Sequence, residues 1–321
     1  MESGNLSNKM KKYVISASNG GISNKIKCLI SSINLANKTG RELMLYWKKE
    51  PACNCNFSDL FENKIKEISE GELRKIIKSG DYEFYRENLK HPGDKKKFII
   101  LNTSRFLGFS KEDLQLKFGK IPLEIQEQIS KYLKNLKFKK GILKTVENFS
   151  KKEFTKDMVG LHMRKGDFKT IKNKIGFVSS DQRFIEEITN LISSNKKIKF
   201  FLSTEDKPTE EMLKNAFNGK VITYPKKTLK REEEGAVKEA LIELLLLSRC
   251  YIILGSFGSS FTEMAWFFGN YKPMVKIVIE KAALKEHLKL ERRRNSFFNR
   301  LKIFVYRLIT PKDVQLLGKK S

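Results

Sequence analysis

The sequence predicts an α/β protein with two doubly wound parallel sheets, and three observations support this prediction. Short apolar runs alternate with segments of helical periodicity along most of the chain, as in sheets whose parallel strands are connected by helices. Small or polar residues follow three of these runs, at positions 19–21, 162–167 and 255–263. The length of 321 residues suffices for one large or two medium domains with real cores.

The first α/β unit begins with the β-rich run Tyr13–Ser18. Apolar residues then recur near helical spacing over residues 22–36, and Gly40 ends this predicted helix. The next strand is Leu43–Trp47. These segments predict a strand, a turn, a helix and a second strand, with the turn at the edge of the sheet.

The turn itself contains Gly20 and Gly21. Free N–H groups at the start of a helix favour an anion, but a tight bend alone also needs glycine. Asn24, in the first helical turn, has two interpretations: it caps the helix, which is the simpler one, or it contacts a ligand.

The rest of the N-terminal lobe, predicted to span residues 1–155, has weaker patterns. Phe57–Phe61 starts a short amphipathic segment, Lys97–Asn102 is a predicted strand, and a helical pattern runs from Ile121 to about Leu136.

A second unit, predicted to span residues 156–275, begins near Met158. Its predicted strands are Met158–Met163, Lys199–Ser203, Lys220–Thr223 and Tyr251–Leu254. The predicted helices between them are Asp181–Ser193, Thr209–Phe217 and Gly235–Ser248. Ligands of open α/β sheets bind at the carboxyl ends of the strands, where Arg164 follows the first of these. A guanidinium offers a planar fork of donors that suits two phosphate oxygens, so the sequence predicts a phosphate-bearing ligand in a cleft.

Composition limits the classes of partner. The formal charge of +27 is compatible with nucleic acid, an anionic membrane or acidic substrates, but lysine is spread through the chain and no compact nucleic-acid motif is present. We therefore expect no specific nucleic acid. Four scattered cysteines, with a Cys53-x-Cys55 that lacks a second pair, predict reduced thiols and no metal. A polar N-terminus without an apolar signal core predicts a cytoplasmic protein.

The tail, residues 276–321, contains a basic amphipathic helix over residues 292–309. Its aromatic and aliphatic residues share one face, and arginines and lysines occupy the rest. Two interpretations remain: the helix packs back on the N-terminal lobe, or it lies in an anionic membrane interface as a peripheral contact.

The segment His162–Asp167 resembles the H-x-R-x-x-D signature of GDP-fucose-dependent fucosyltransferases, the group that includes the α1,6-, protein O- and nodulation enzymes. Three more segments agree in order. Gly20–Lys25 is similar to their G-G-x-x-N-[RKQ] turn, Phe201–Asp206 to their strand that ends in T-[DE]-D, and Leu247–Phe261 to their last strand and S-S-F turn. The matches extend over residues 13–269.

The resemblance implies a fold of two Rossmann-like lobes facing a cleft (GT-B) and a metal-free reaction with GDP-fucose as donor and a glycan hydroxyl as acceptor. It implies that Arg164 holds the β-phosphate of the donor. It further implies that Ser259, Ser260 and the following amides, beginning at Phe261, bind phosphate at a helix N-terminus. The carboxylate that holds guanine corresponds to Glu243, where the relatives usually have aspartate. In an apolar helix this carboxylate needs a partner.

Four further residues belong to the predicted site. His162 either shapes the pocket beside Arg164 or acts as a catalytic base, and Asp167 is expected to orient Arg164 through a salt bridge. Thr204 and Asp206 are candidates for lining the donor pocket. The leading hypothesis is an inverting fucosyltransferase. The alternatives are a transferase of the same fold that uses another nucleotide sugar, and a non-catalytic protein that binds RNA or anionic membrane.

Overall fold

The computed structural model describes residues 11–86, 95–109, 121–165, 178–230, 232–233 and 235–289. The chain consists of two compact units that divide between Phe138 and Lys139. Each unit is built around a sheet of five strands, and the sheets are parallel, as predicted. The predicted division at residue 155 stays a prediction. The predicted tail after residue 275 also stays a prediction, because the residues after 289 lie outside the described part.

The first unit has the strand order β3-β2-β1-β5-β4. Its strands are β1 Tyr13–Ser16, β2 Glu42–Leu45, β3 Lys66–Glu67, β4 Tyr82–Tyr85 and β5 Phe98–Leu101. Its helices are α1 Ile22–Thr39, α2 Phe57–Leu60, α3 Glu70–Ser79 and α4 Leu123–Lys134. The central strands β1 and β5 pair in register from Tyr13 opposite Phe98 to Ser16 opposite Leu101.

Helix α1 forms one wall of the first core. It begins after Gly21 and ends at Gly40, whose left-handed backbone (φ 62°) lets its N–H donate to the Ala36 carbonyl. Cys28 and Leu35 of this helix pack on β1 and β5, together with other buried apolar residues. The helix and the glycine that ends it are confirmed.

The second unit has the strand order β10-β9-β6-β7-β8. Its strands are β6 Val159–Met163, β7 Phe200–Thr204, β8 Val221–Thr223, β9 Ile252–Ser256 and β10 Met274–Val278. Its helices are α5 Lys140–Glu153, α6 Asp181–Ser194, α7 Lys207–Ala216, α8 Ala236–Leu247 and α9 Ser260–Phe268, and residues 281–289 are also helical. The first strand of the unit is therefore central, and the strand order reverses between β6 and β9, as at the ligand-binding edge of Rossmann-like sheets.

Two glycines allow helices to lie close to this sheet. An added Cβ on Gly160 of β6 would lie 2.8 Å from the Leu247 side chain of α8. An added Cβ on Gly255 of β9 would lie 2.4 Å from Thr262 Cγ2 of α9. Real Cβ atoms do not approach so closely, so Gly255 leaves room for the branched Thr262 side chain, and a residue other than glycine at position 160 would require the Leu247 side chain to move.

Helix α8 is apolar on nearly its whole surface. Nine of its twelve residues are buried, because α8 lies between the sheet strands β6 and β7 and the helices α5 and α9. Glu243 is the carboxylate within this helix and is only 4% exposed.

Several elements differ from the prediction. Strands β3, β4 and β10 and helices α3 and α5 were not foreseen as separate elements. Helix α7 begins at Lys207 rather than Thr209, because Asp206 caps it and Pro208 occupies its first turn. The basic helix at 292–309 lies outside the described residues. Within the described part of the chain, no helix is both long and apolar enough to cross a membrane.

Candidate functional site

The carboxyl ends of β6 and β9 lie side by side at the point where the strand order of the second sheet reverses. Arg164 directly follows β6, and the turn from Phe257 to Ser259 follows β9 and leads into α9. The structure thus brings together the predicted arginine and the predicted helix N-terminus. A guanidinium and the positive end of a helix at one sheet edge favour an anion.

Arg164 is held at both its backbone and its side chain. Its N–H donates to Ser256 Oγ at 3.0 Å, and that hydroxyl donates to the His162 carbonyl at 3.1 Å. Its Nε lies 3.6 Å from Glu205 Oε1, and the side chains of this ion pair are only 14% and 17% exposed. The guanidinium is therefore partly buried and oriented before any ligand binds.

Glu205 also fixes the loop that follows β6. The same Oε1 accepts a hydrogen bond from the Lys165 N–H at 3.0 Å, and the Lys165 ammonium forms an ion pair with Asp181 at the start of α6. Asp167, the predicted partner of Arg164, lies outside the described residues. Glu205 was not among the predicted site residues. Its position directly after β7 is visible in the sequence and could have indicated a place at the carboxyl edge of the sheet.

His162 is a buried, neutral side chain. Its Nδ1 shares a 2.8 Å hydrogen bond with Thr262 Oγ1, and its ring stacks on Phe261 with centroids 4.8 Å apart. Burial, helped by the nearby charges of Arg164 and Lys226, lowers the pKa of His162 to about 3. The imidazole therefore stays uncharged at neutral pH and forms part of the wall beneath Arg164.

The start of α9 is shaped by serine and glycine. Gly258 has a left-handed backbone (φ 71°), and Ser259 is the N-cap, whose Oγ accepts the Phe261 N–H at 3.3 Å. Ser260 is the first helical residue. The Phe261 amide is thus engaged by the cap, although the resemblance assigned it to a phosphate.

Glu243 has the partner that its burial requires. Lys226 Nζ lies 2.9 Å from Glu243 Oε1 and donates to the Thr204 carbonyl at 2.6 Å. Among the described residues, Oε1 therefore has an ion-pair partner but no hydrogen-bond donor. Burial raises the pKa of Glu243 to about 7, against the opposing effects of Lys226 and Ser203.

Thr204 and Asp206 both make structural hydrogen bonds. Thr204 Oγ1 donates to the Met163 carbonyl at 2.8 Å, which ties β7 to β6. Asp206 Oδ2 accepts from the N–H and the hydroxyl of Thr209, at 3.1 and 2.6 Å, and so caps α7. Their predicted contact with a donor stays a prediction.

The glycine turn of the first unit binds a carboxylate of the protein itself, that of Glu50. Gly20 has φ 95°, and its N–H donates to Glu50 Oε1 at 2.7 Å. Lys25, which is 2% exposed, lies 3.2 Å from the same oxygen and donates to the carbonyls of Ser18 and Lys48. The turn therefore contacts a half-buried carboxylate and a buried ammonium that sequence patterns did not reveal.

Asn24 does not cap α1, so the simpler of its two interpretations was wrong. The N-cap is Gly21, which has no side chain, and the Asn24 backbone N–H donates to the Gly21 carbonyl. Asn24 is half-buried beside the turn. In the described part of the chain, no cluster of three or more His, Cys, Asp or Glu side chains could hold a metal ion.

Solved structures of fucosyltransferases resemble this chain. The fucosyltransferase NodZ from Bradyrhizobium matches with a TM-score of 0.53 and 17% identity, over 79% of this chain and 92% of that one. A variant of FUT1 from Arabidopsis thaliana in complex with GDP gives 0.55 and 15%, over 84% and 71%. POFUT1 in complex with GDP-fucose gives 0.51 and 12%, over 84% and 98%. No protein-family model and no curated protein matches the sequence. The chain therefore has the GT-B fold of these fucosyltransferases.

Proposed function

We propose that the chain is a glycosyltransferase that moves fucose from GDP-fucose to a hydroxyl of a glycan, with inversion and without a metal. The observation that supports it is the oriented guanidinium of Arg164 at the reversal point of the second sheet. It stands in a fold shared with NodZ, FUT1 and POFUT1, whose solved structures include complexes with GDP-fucose or GDP.

The proposed reaction needs positive charge at the departing diphosphate. As the acceptor oxygen bonds to the anomeric carbon, the bond from that carbon to the β-phosphate oxygen breaks and negative charge grows on GDP. Arg164 and the N-terminus of α9 stabilise this charge, which is commonly the largest catalytic contribution. Attack on the face opposite the diphosphate turns a β-linked donor into an α-linked product.

His162 acts in this proposal as a positioning residue. Its Nδ1 is engaged by Thr262 and its charged form is strongly disfavoured, so it keeps the pocket wall neutral beside Arg164. Its carbonyl holds Ser256, which in turn accepts the Arg164 N–H. Replacement of the imidazole leaves this carbonyl in place, so it should change the packing against Thr262 and Phe261 rather than remove a catalytic base.

Glu243 is proposed to recognise the base. Guanine presents two adjacent donors, N1–H and the exocyclic amino group, which fit the two oxygens of one carboxylate. Oε1 lacks a hydrogen-bond donor among the described residues, and the Lys226 ammonium beside it favours the carboxylate form against the opposing effect of burial. Uracil and adenine do not offer this pair of donors, so the proposal predicts selectivity for guanine.

The test is calorimetric titration with GDP, GDP-fucose, UDP and ADP, each with and without EDTA. We expect binding of the two guanine ligands alone, unchanged by EDTA and weakened by at least tenfold in Arg164→Ala. Arg164→Lys should recover part of the affinity, because lysine keeps the charge but loses the fork. Arg249→Ala is the matched control, because Arg249 follows α8, forms an ion pair with Glu147 of α5 and lies away from this sheet edge.

Other outcomes would contradict the proposal. Equal affinity for GDP, UDP and ADP would remove the guanine assignment, and loss of binding with EDTA would remove the metal-free one. Binding of RNA or anionic vesicles without nucleotide selectivity would favour the non-catalytic alternative. Peripheral membrane contact through residues 292–309 and a cytoplasmic location stay predictions.

A further inference from the structure

Cys53 and Cys55 form a thiol pair that the proposed function does not use. Their sulfur atoms are 3.8 Å apart, and both residues are buried, Cys53 fully and Cys55 to 8% exposure. The other two cysteines behave differently: the thiols of Cys28 and Cys250 donate to the carbonyls of Leu101 and Leu246. All four thiols are free, and only the Cys53–Cys55 pair has sulfur facing sulfur.

The backbone around this pair is fixed. Glu50 and Cys53 exchange two backbone hydrogen bonds of 3.3 and 2.8 Å, and Trp47 Nε1 donates to the Cys55 carbonyl at 3.0 Å. Trp47 itself lies against Phe57 and beneath the Lys25 ammonium. The two sulfurs therefore meet without further ordering of the chain, which favours a reaction between them.

The two thiols differ in acidity. The hydrogen bond between the two sulfurs, aided by the positive charge of Lys25, lowers the pKa of Cys53 in spite of its burial. The same hydrogen bond and burial raise the pKa of Cys55. This difference in acidity favours Cys53 as the nucleophilic sulfur and Cys55 as the proton donor, a division of roles that suits disulfide formation.

We propose that Cys53 and Cys55 form a redox-modification site that closes to an intramolecular disulfide with hydrogen peroxide as the oxidant. The Cys53 thiolate attacks one peroxide oxygen and releases hydroxide, which gives a sulfenic acid. The Cys55 sulfur then displaces water from it and loses its proton. Two thiols and one peroxide yield one disulfide and two waters, so the protein loses two electrons and two protons.

Closure of this disulfide would reach the glycine turn. The sulfurs must approach from 3.8 Å to about 2.05 Å, which moves Cys53 and the backbone bridge to Glu50. The Glu50 carboxylate holds the Gly20 N–H and the Lys25 ammonium. Oxidation is therefore expected to loosen the Gly20 turn, whether or not the protein is a transferase.

The first experiment is peptide mass spectrometry of the full chain after treatment with hydrogen peroxide and alkylation under denaturing conditions. Trypsin releases residues 50–64 as one peptide that contains both cysteines and no other thiol. We expect this peptide to lose two hydrogens and resist alkylation until it is reduced, at peroxide doses that oxidise dithiothreitol. Full alkylation of both thiols, or sulfinic acid in place of the disulfide, would overturn the proposal.

Variants separate the disulfide from general damage. Cys250→Ser should leave the disulfide intact, while Cys53→Ser and Cys55→Ser should abolish it. Hydrogen exchange at residues 13–25 should accelerate in the oxidised wild type and recover with dithiothreitol, but stay constant in peroxide-treated Cys53→Ser. Unchanged exchange in a fully oxidised wild type would disprove the link to the Gly20 turn.

Discussion

Gly255→Ala should lower the free energy of unfolding of the second unit by about 2–4 kcal/mol. The new methyl group would lie 2.4 Å from Thr262 Cγ2 and 2.6 Å from Thr262 Oγ1. Thr262 is fully buried and its hydroxyl is bonded to His162, so it cannot turn away without losing that bond. Overpacking of a core costs about 1–3 kcal/mol, and loss of the hydrogen bond adds about 1 kcal/mol.

The assay is urea denaturation followed by tryptophan fluorescence. Trp266 of α9 is buried in the second unit, and Trp47 belongs to the first. A Trp47→Phe background therefore makes the fluorescence transition report the second unit, in which Gly255→Ala should lower the midpoint at an unchanged slope.

Two further variants sharpen this measurement. Gly141→Ala is the matched control, because an added Cβ there meets no atom within 4 Å and alanine favours helix α5; we expect a gain of about 0.5–1 kcal/mol. Thr262→Ala removes both close atoms, so its combination with Gly255→Ala should cost at least about 1 kcal/mol less than the sum of the single changes. Strict additivity, or a Gly255→Ala cost below about 0.5 kcal/mol, would refute the argument.

Three more perturbations test the buried ionisable side chains. The pKa of Glu243 is about 7 in the folded state against 4.5 in the unfolded state, so its neutral form stabilises the fold. This stability is lost as pH rises from about 4.5 to 7. When denaturation is measured at a series of pH values, Glu243→Gln should lack this part of the pH dependence. The pKa of His162 is about 3 in the folded state against 6.5 in the unfolded state, so its stabilising contribution is present above pH 6.5 and is lost as pH falls towards 3. The free energy of unfolding of His162→Asn should therefore decrease less steeply as pH falls; an identical acid profile would contradict this. Lys25→Met should cost about 3 kcal/mol by leaving Glu50 without its ion-pair partner, while Lys38→Met on the exposed face of α1 should cost less than about 0.5 kcal/mol in the same urea assay.

Periodicity predicted the elements that are regular and well buried. Strands β6, β7 and β9 are almost wholly buried, so their apolar runs stand out from the flanking sequence. Strand β10 at the sheet edge alternates between exposed and half-buried residues up to the buried Val278, so its burial pattern is weaker than that of the inner strands. Helix α3 could have been predicted, because Ser69 and Glu72 form a capping box at its N-terminus.

The predicted site residues divide by how local their signal is. Arg164 and Ser259 follow directly from their places after β6 and β9. The partners of the buried charges depend on which strands become neighbours, so Glu205 beside Arg164 and Lys226 beside Glu243 left no periodic signal. The apolar sequence around Glu243 nevertheless predicted that a partner must exist, and the structure confirms it.

The apolar surface of α8 has a consequence for synthesis of the chain. Helix α9, which covers α8, lies later in the sequence. A nascent chain whose residues up to about 250 have left the ribosome therefore exposes a leucine-rich helix with one side uncovered. Such a surface favours self-association and chaperone binding until α9 has been synthesised and packs on α8. A fragment that ends after β9 should therefore be insoluble, whereas one that extends beyond α9 includes the segment that covers α8.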